Sequence, residues 1–221
     1  MAGVTIRGVL FDFSGTLFRL EVESGWLDGI MDDAAASELM RRMTAPVTAD
    51  ADVPEDFERR DLDELTHRRV HVEMLVRAGV GDHAKADTVY DRLLEPASWK
   101  PFPDTAEALR LLRAAEVPVA VLSNIGWDIR TVFAHHGLLD LVDDVVMSYK
   151  EGLLKPDPEL FRIACERLGV PPEHVLMVGD SEEADGGAAA LGSAVEIVEP
   201  LPTDQRPRAL IEALKARGVM R

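Results

Sequence analysis

The chain has only one cysteine, Cys165, so no disulfide can form within it. That residue lies in the apolar-periodic stretch Leu160-Phe161-Arg162-Ile163-Ala164-Cys165 and is expected to be a buried core thiol. Positive charge is also scarce: 24 Lys and Arg stand against 40 Asp and Glu, a formal net charge of -16. Such a field repels phosphate backbones and anionic headgroups, so neither a nucleic-acid partner nor a membrane partner is expected. A small anionic substrate stays compatible with it where cations are placed locally. No run reaches the ~20 apolar residues of a membrane span, and the N-terminus lacks the basic-then-apolar layout of a signal peptide. A cytoplasmic location is the expectation, with a monomer or homodimer both open. Internal repeats and low-complexity tracts are missing as well. What is present is a hydrophobic fraction of 47% in 221 residues, enough for one large core with a smaller accessory domain.

Strand-like runs rich in Val, Ile and Leu recur at Val4–Phe11, Val117–Leu122, Val142–Ser148, His174–Val178 and Ala194–Val198. Amphipathic stretches separate the last four. Continuous apolar strands alternating with helices predict an α/β fold, a doubly wound parallel sheet covered on both faces. Pro103-Asp104-Thr105 opens a helix over Ala106–Ala115, Pro156-Asp157-Pro158 opens another over Glu159–Leu168, and Gly169 stops the latter. Between Arg19 and Lys100 the pattern changes to helical spacing without strand runs. The expected helices there are Trp26–Met43, Pro54–Ala78 and Ala84–Leu94, broken by the Pro46–Pro54 linker and by Gly79–Asp82. Residues 1–18 and 101–221 are thus expected to form the core, and residues 19–100 an inserted all-helical domain.

In a doubly wound sheet, ligands bind at the carboxyl ends of strands. The residues found there are Asp12, Ser123-Asn124 and Gly179-Asp180-Ser181. Singly, each reads as a turn former or helix cap, and Lys155 as a solvated loop lysine. Together they make a reaction centre. A carboxylate attacks well when a cation and hydrogen-bond donors neutralise the charge developing on its target. Asp12 supplies that carboxylate, and Gly15-Thr16 turns the chain beneath an incoming phosphate. Magnesium prefers hard oxygen ligands, which Asp12, the Ser14 carbonyl, Asp180 and Asp185 offer. Thr16, Ser123, Asn124 and Lys155 are the candidate phosphate binders, with backbone N–H groups after Ser123 expected at a helix start. This is the set that phosphoryl transfer needs.

In the order Asp12-x-Ser14-Gly-Thr-Leu, Leu122-Ser123-Asn124, Lys155-Pro156 and Gly179-Asp180-Ser181-x-x-x-Asp185, the chain resembles the haloacid dehalogenase-like (HAD) hydrolase superfamily. The resemblance implies a Rossmann-like core with Asp12 as aspartyl-phosphate nucleophile, Ser123 and Lys155 as phosphate binders, and Asp180 and Asp185 as magnesium-site acids. The helical insertion resembles that family's mobile cap, which closes over the core and selects the substrate.

Ser14 departs from the family's pattern. Phosphatases of the family usually carry there a second aspartate, which protonates the leaving alcohol and then activates water. Acid–base catalysis of that kind is worth roughly a hundred- to ten-thousand-fold. Three readings follow: a magnesium-dependent phosphatase acting on a small phosphorylated metabolite, with a good leaving group or with another acid or base from the cap; a 2-haloacid dehalogenase, which needs neither metal nor acid at position 14; and a weakly catalytic phosphometabolite-binding protein. His67, His71, Asp28 and Asp63 are the cap residues that could replace the acid, against the plainer reading of a solvated helix face. Trp26 and the cationic cluster Arg59-Arg60, His67-Arg68-Arg69 and His71 are candidates for substrate contact, with surface ion pairing as the alternative. Trp127 either walls the pocket or pins its helix to the core.

Overall fold

A computed structural model describes residues 5–21, 23–43 and 53–219. Among these, the strands are β1 (Gly8–Phe11), β2 (Phe18–Leu20), β3 (Trp99–Pro101), β4 (Val119–Ser123), β5 (Asp144–Met147), β6 (Val175–Gly179) and β7 (Ala194–Ile197). Five of them form a parallel sheet in the order β5-β4-β1-β6-β7. The expected first strand starts at Val4, which lies outside the described residues, and the ladder itself begins at Gly8. Most of the Pro46–Pro54 linker also lies outside them.

Side chains alternate across the sheet with the strand period of two. Val9, Phe11, Val119, Val121, Leu176 and Val178 share one core cluster, whereas Leu10, Ala120, Leu122 and Met177 belong to another on the opposite face. The helices covering these faces include α4 (Thr105–Ala114), α5 (Arg130–His135), α7 (Pro158–Leu168) and α9 (Ala209–Ala216), with the short α6 (Ser148–Glu151) and α8 (Glu182–Asp185) following β5 and β6. Cys165 is buried in the α7 face, and burial pushes its thiol up to about 11. Helix α7 starts as the sequence predicts, with the Asp157 carboxylate accepting from the Glu159 N–H at 2.9 Å, and it ends at Gly169 with φ 67°.

The insertion between β2 and β3 is helical: α1 (Asp33–Met43), α2 (Glu64–Leu75) and α3 (His83–Leu93). These helices have a core of their own, built from Leu27, Leu39, Val72, Leu75, Val89 and Leu93 among others. Each such side chain contributes ~1.5–3 kcal/mol when fully buried. β2 and β3 pair antiparallel, Phe18 opposite Pro101 and Leu20 opposite Trp99, so entry and exit strands form one ribbon.

Three helix expectations need correction. The helix expected from Trp26 begins only at Asp33, because Gly25 and Gly29 take φ of 82° and 83° and Asp32 caps the later start by accepting from the Ala35 N–H. The helix expected over Pro54–Ala78 is divided. A 3-10 segment spans Phe57–Leu62, Asp63 turns extended, and its carboxylate accepts from the Thr66 N–H at 2.8 Å to start α2. Lastly, Ser123-Asn124 does not lie at a helix start, since α5 begins at Arg130.

Candidate active site

β1 lies between β4 and β6, so the sheet's order reverses around it and the three strand ends open one crevice. Asp12 is the first residue past β1, and its N–H donates to the Val178 carbonyl of β6 at 2.9 Å. Lys155 reaches it from the α6–α7 loop. The Lys155 ammonium donates to Asp12 Oδ1 at 2.7 Å and to Asp185 Oδ1 at 2.6 Å. Asp185 Oδ2 in turn accepts from the Ser181 N–H at 3.0 Å. Asn124 holds the lysine's backbone at both ends: its Oδ1 accepts from the Lys155 N–H at 2.7 Å and its Nδ2 donates to the Lys155 carbonyl at 3.0 Å.

Ligand atoms of Asp12, Asp180 and Asp185 lie within 4.8 Å of one another. Burial, and then repulsion from Asp185 and Asp180, push the Asp12 carboxyl up to about 7 against the pull of Lys155. Burial and Asp185 likewise raise Asp180 to about 6. Burial alone would lower Lys155, but Asp12 and Asp185 outweigh it and hold the ammonium above its usual range. Three acids and one base leave an excess of negative charge that a further cation would relieve.

The turn behind Asp12 is held from far along the chain. Gly15 has φ 78°, and a Cβ there would lie 2.2 Å from Asp180 Oδ2, so the position needs glycine for conformation and for space. The buried Arg206 guanidinium donates to the Gly15 carbonyl at 2.6 Å and to the Thr16 carbonyl, and it stacks over Phe102 at 3.2 Å. Burial lowers it to about 10, which leaves it a cation at neutral pH. The Thr16 hydroxyl faces Asp12 Oδ2 at 3.5 Å.

The haloacid dehalogenase-like hydrolase family matches residues 6–192. This chain belongs to that family. The HAD hydrolases it resembles divide between two chemistries. It is 37% identical over 92 residues to (S)-2-haloacid dehalogenase 4A of Burkholderia cepacia, covering 41% of this chain and 40% of that protein. It is 26% identical to the phosphoglycolate phosphatase of Nitrosospira multiformis, covering 86% of this chain and 82% of the relative. Among solved structures, the L-2-haloacid dehalogenase of Xanthobacter autotrophicus superposes with a TM-score of 0.66 at 25% identity, covering 94% of this chain and 83% of that one. The HAD chain spans about half or less of the length of the curated relatives that it matches first.

Above the strand ends of this HAD hydrolase lies a cavity of about 690 Å³, with Ser14, Gly15, Asn124, Asp180 and Ser181 on the core side. Ser14 is exposed there, whereas Asp12, Thr16, Ser123, Lys155 and Asp185 are buried. The structure therefore brings the expected catalytic, phosphate-binding and metal-site residues to one crevice. Two differ in detail from the expectation. The Asn124 amide is engaged with the backbone of Lys155, and both oxygens of Asp185 are engaged by Lys155 and Ser181, which makes these two residues supports of Lys155.

Arg60, Asp61, His67, His71 and Tyr90 line the cavity from the cap side. His67 sits directly on the loop after Ser123, where a Cβ on Gly126 would come within 2.4 Å of its own Cβ. Of the expected cationic cluster, Arg60, on the 3-10 segment, and His67 and His71, on α2, thus face the cleft. The other cap candidates do not line it. Asp28 is exposed, Asp63 caps α2, Arg68 pairs with Asp87 and Asp91 of α3, Arg69 pairs with Asp56, Arg59 is exposed, and the Trp26 indole donates to Ser98 Oγ. Trp127 does both things expected of it, walling the cavity and packing edge-on against Phe13 with 6.3 Å between ring centroids.

Sequence reasoning missed Arg206 and the roles of Asp61 and Tyr90. Nothing around Arg206 in Thr203-Asp204-Gln205-Arg206-Pro207 marks it as buried, since its partners are main-chain carbonyls nearly the whole chain away. Asp61 had a weak signal, standing two residues before the cap residue of α2.

Proposed function

We propose that this HAD hydrolase is a magnesium-dependent phosphatase of a small phosphorylated metabolite, working through an aspartyl-phosphate on Asp12. The observation that carries the reading is the carboxylate trio of Asp12, Asp180 and Asp185 around a single ammonium. Hard, closely spaced oxygens with too little positive charge suit magnesium, and the residues that would hold it are Asp12, Asp180 and the Ser14 carbonyl. Bound there, magnesium would neutralise phosphoryl oxygens and let a dianion approach the acidic floor. Asp12 then attacks phosphorus as the ester bond breaks. Lys155 orients the attacking carboxylate through its 2.7 Å bond and contributes fixed positive charge, while Ser123 ends β4 beside it with a hydroxyl to donate.

The dehalogenase reading draws on a different observation, the identity to (S)-2-haloacid dehalogenases together with serine at position 14. In that reaction Asp12 would attack carbon and expel halide, and extra buried acids would repel the carboxylate of a haloacid. One experiment separates the two. A panel of phosphorylated metabolites is assayed for phosphate release with magnesium and after chelation, and 2-haloacids are assayed for halide release. Magnesium-dependent phosphate release that disappears in Asp12→Asn supports the phosphatase. Halide release that persists after chelation refutes it in favour of the dehalogenase.

A further inference from the structure

Ser14 leaves the phosphatase without the carboxyl that position 14 would supply to protonate a departing alcohol, and a serine hydroxyl near its free pKa is no substitute. The opposite wall of the cavity holds one. Asp61 is a buried cap residue lining the same space as Ser14 and Asp180. Its carbonyl accepts from Ser148 Oγ at 2.6 Å, and that hydroxyl accepts from the Ile125 N–H at 2.9 Å. A single hydroxyl of the core thereby ties the turn carrying Asp61 to the loop that follows Ser123. On its other side, Asp61 Oδ1 is 3.5 Å from His67 Nε2, whose Nδ1 is 2.7 Å from the Tyr90 hydroxyl, and the His71 ring stacks on His67 at 3.9 Å. Burying such a polar cluster is unfavourable compared with an apolar wall, and Asp61, which also faces Arg60 Nε at 3.5 Å, is the carboxyl that the described residues of the cap present to the cavity.

We propose that Asp61 is the acid–base catalyst of this hydrolase, supplied by the cap in place of the group missing at Ser14. The proposal rests on the phosphatase reading. In the first step Asp12 forms a bond to phosphorus, the bond from phosphorus to the leaving oxygen breaks, and that oxygen takes the proton of the Asp61 carboxyl. In the second, the Asp61 carboxylate takes a proton from water as the water oxygen attacks the aspartyl-phosphate. Phosphate leaves, Asp12 is regenerated, and Asp61 is protonated again.

The other titratable cap groups are unsuited to the task. Burial lowers His67 to about 2 and His71 to about 4, so neither carries a proton to give at neutral pH, and burial raises Tyr90 to about 12. Burial raises Asp61 to about 6, against the pull of Arg60, which makes both of its protonation states accessible.

The test compares Asp61→Asn with the parent on glycerol 1-phosphate and 4-nitrophenyl phosphate, both with magnesium. The alkyl ester should lose about a hundredfold or more in kcat with KM changed by less than about threefold, because its alkoxide needs a proton as it leaves. Nitrophenolate leaves unassisted. The variant should release it in a burst matching the enzyme concentration and then stall as the aspartyl-phosphate waits for an activated water. Equal losses on both esters without a burst, or no loss on either, overturn the proposal. The parent alone gives a second measurement, which holds even if the variant does not fold. With an acid in place, its phosphorylation rate should vary little between alkyl and aryl esters, and a steep fall for alkyl esters overturns the assignment. If the parent shows no magnesium-dependent turnover of either ester, the phosphatase reading fails first and Asp61 falls with it; if the parent turns over normally, only Asp61 is at stake.

Discussion

The core and the cap line the same cavity with opposite electrostatic strategies. The core gathers three carboxylates around one ammonium and leaves their charge unbalanced, so that burial raises Asp12 to about 7 and Asp180 to about 6. Among its described residues the cap gathers two imidazoles held neutral, a phenol, and a carboxyl that faces Arg60. The difference teaches where each region's missing partner must come from. On the proposed phosphatase reading, the core would be completed by an external cation and an anionic group, whereas the cap needs only to stay docked over Gly126.

Removing the ammonium shared by Asp12 and Asp185 should have the largest effect. Lys155→Met leaves Asp12 and Asp185 facing each other without their shared cation, and breaking a buried pair in this way costs about 3–5 kcal/mol. A fall in Tm on the order of 10 °C, with turnover abolished, is expected from thermal melts and steady-state assays. A Tm equal to the parent's would show that the buried charges are not coupled as described.

Asp180→Asn tests the other half of that imbalance. The parent should gain on the order of 5 °C in Tm at saturating magnesium, by mass action on the folded state. The variant should lose most of that gain. An undiminished shift would place the metal elsewhere.

Gly126→Ala turns to the contact between the regions. A methyl group aimed at His67 should lift the cap and lower kcat/KM by about tenfold, with Tm little changed. Unaltered kinetics would show that the cap does not need this close approach.

The smallest effect is expected from acid and the cap histidines. His71 titrates near 6.5 when unfolded and at about 4 when folded, so the unfolded chain binds more protons between those values. Its stabilising contribution is fully present above pH 6.5 and is lost as pH falls toward 4. Asp12, Asp61 and Asp180 are shifted upward and act in the opposite sense, so the comparison must be with His71→Phe. Between pH 7 and pH 4.5 the parent should lose about 5 °C more than that variant. Parallel melting curves would mean that His71 is not held neutral.

The strand ends were legible in the sequence because each carries its chemistry in consecutive residues: Asp12 after Val9-Leu10-Phe11, Ser123 after Val121-Leu122, Asp180 after Val178-Gly179. Continuous apolar runs also gave the parallel sheet, since strands buried on both faces have no polar alternation. Two kinds of information were hidden. Helix breaks such as the extended Asp63 depend on a single local hydrogen bond to Thr66, which a periodic pattern averages away. Contacts across the cleft depend on tertiary approach, so the pairing of Asp61 with Ser148 and of His67 with Gly126 leaves no trace in spacing.

Arg206 gives the turn behind Asp12 a dependence on time as well as on space. Its bonds to Gly15 and Thr16 span 191 and 190 positions, and Asp104, at the start of α4, receives the Ile211 N–H of α9 at 3.1 Å. A ribosome emits these pieces in sequence, at roughly 5–20 residues per second, so Asp12 exists many seconds before the guanidinium that shapes its neighbours. During that interval the nascent chain holds the Asp12 carboxyl on an unfinished loop. Activity should therefore arrive late and abruptly in synthesis, when α9 docks, and a chain shortened before residue 206 should keep the motifs of its family while lacking the brace that makes them a site.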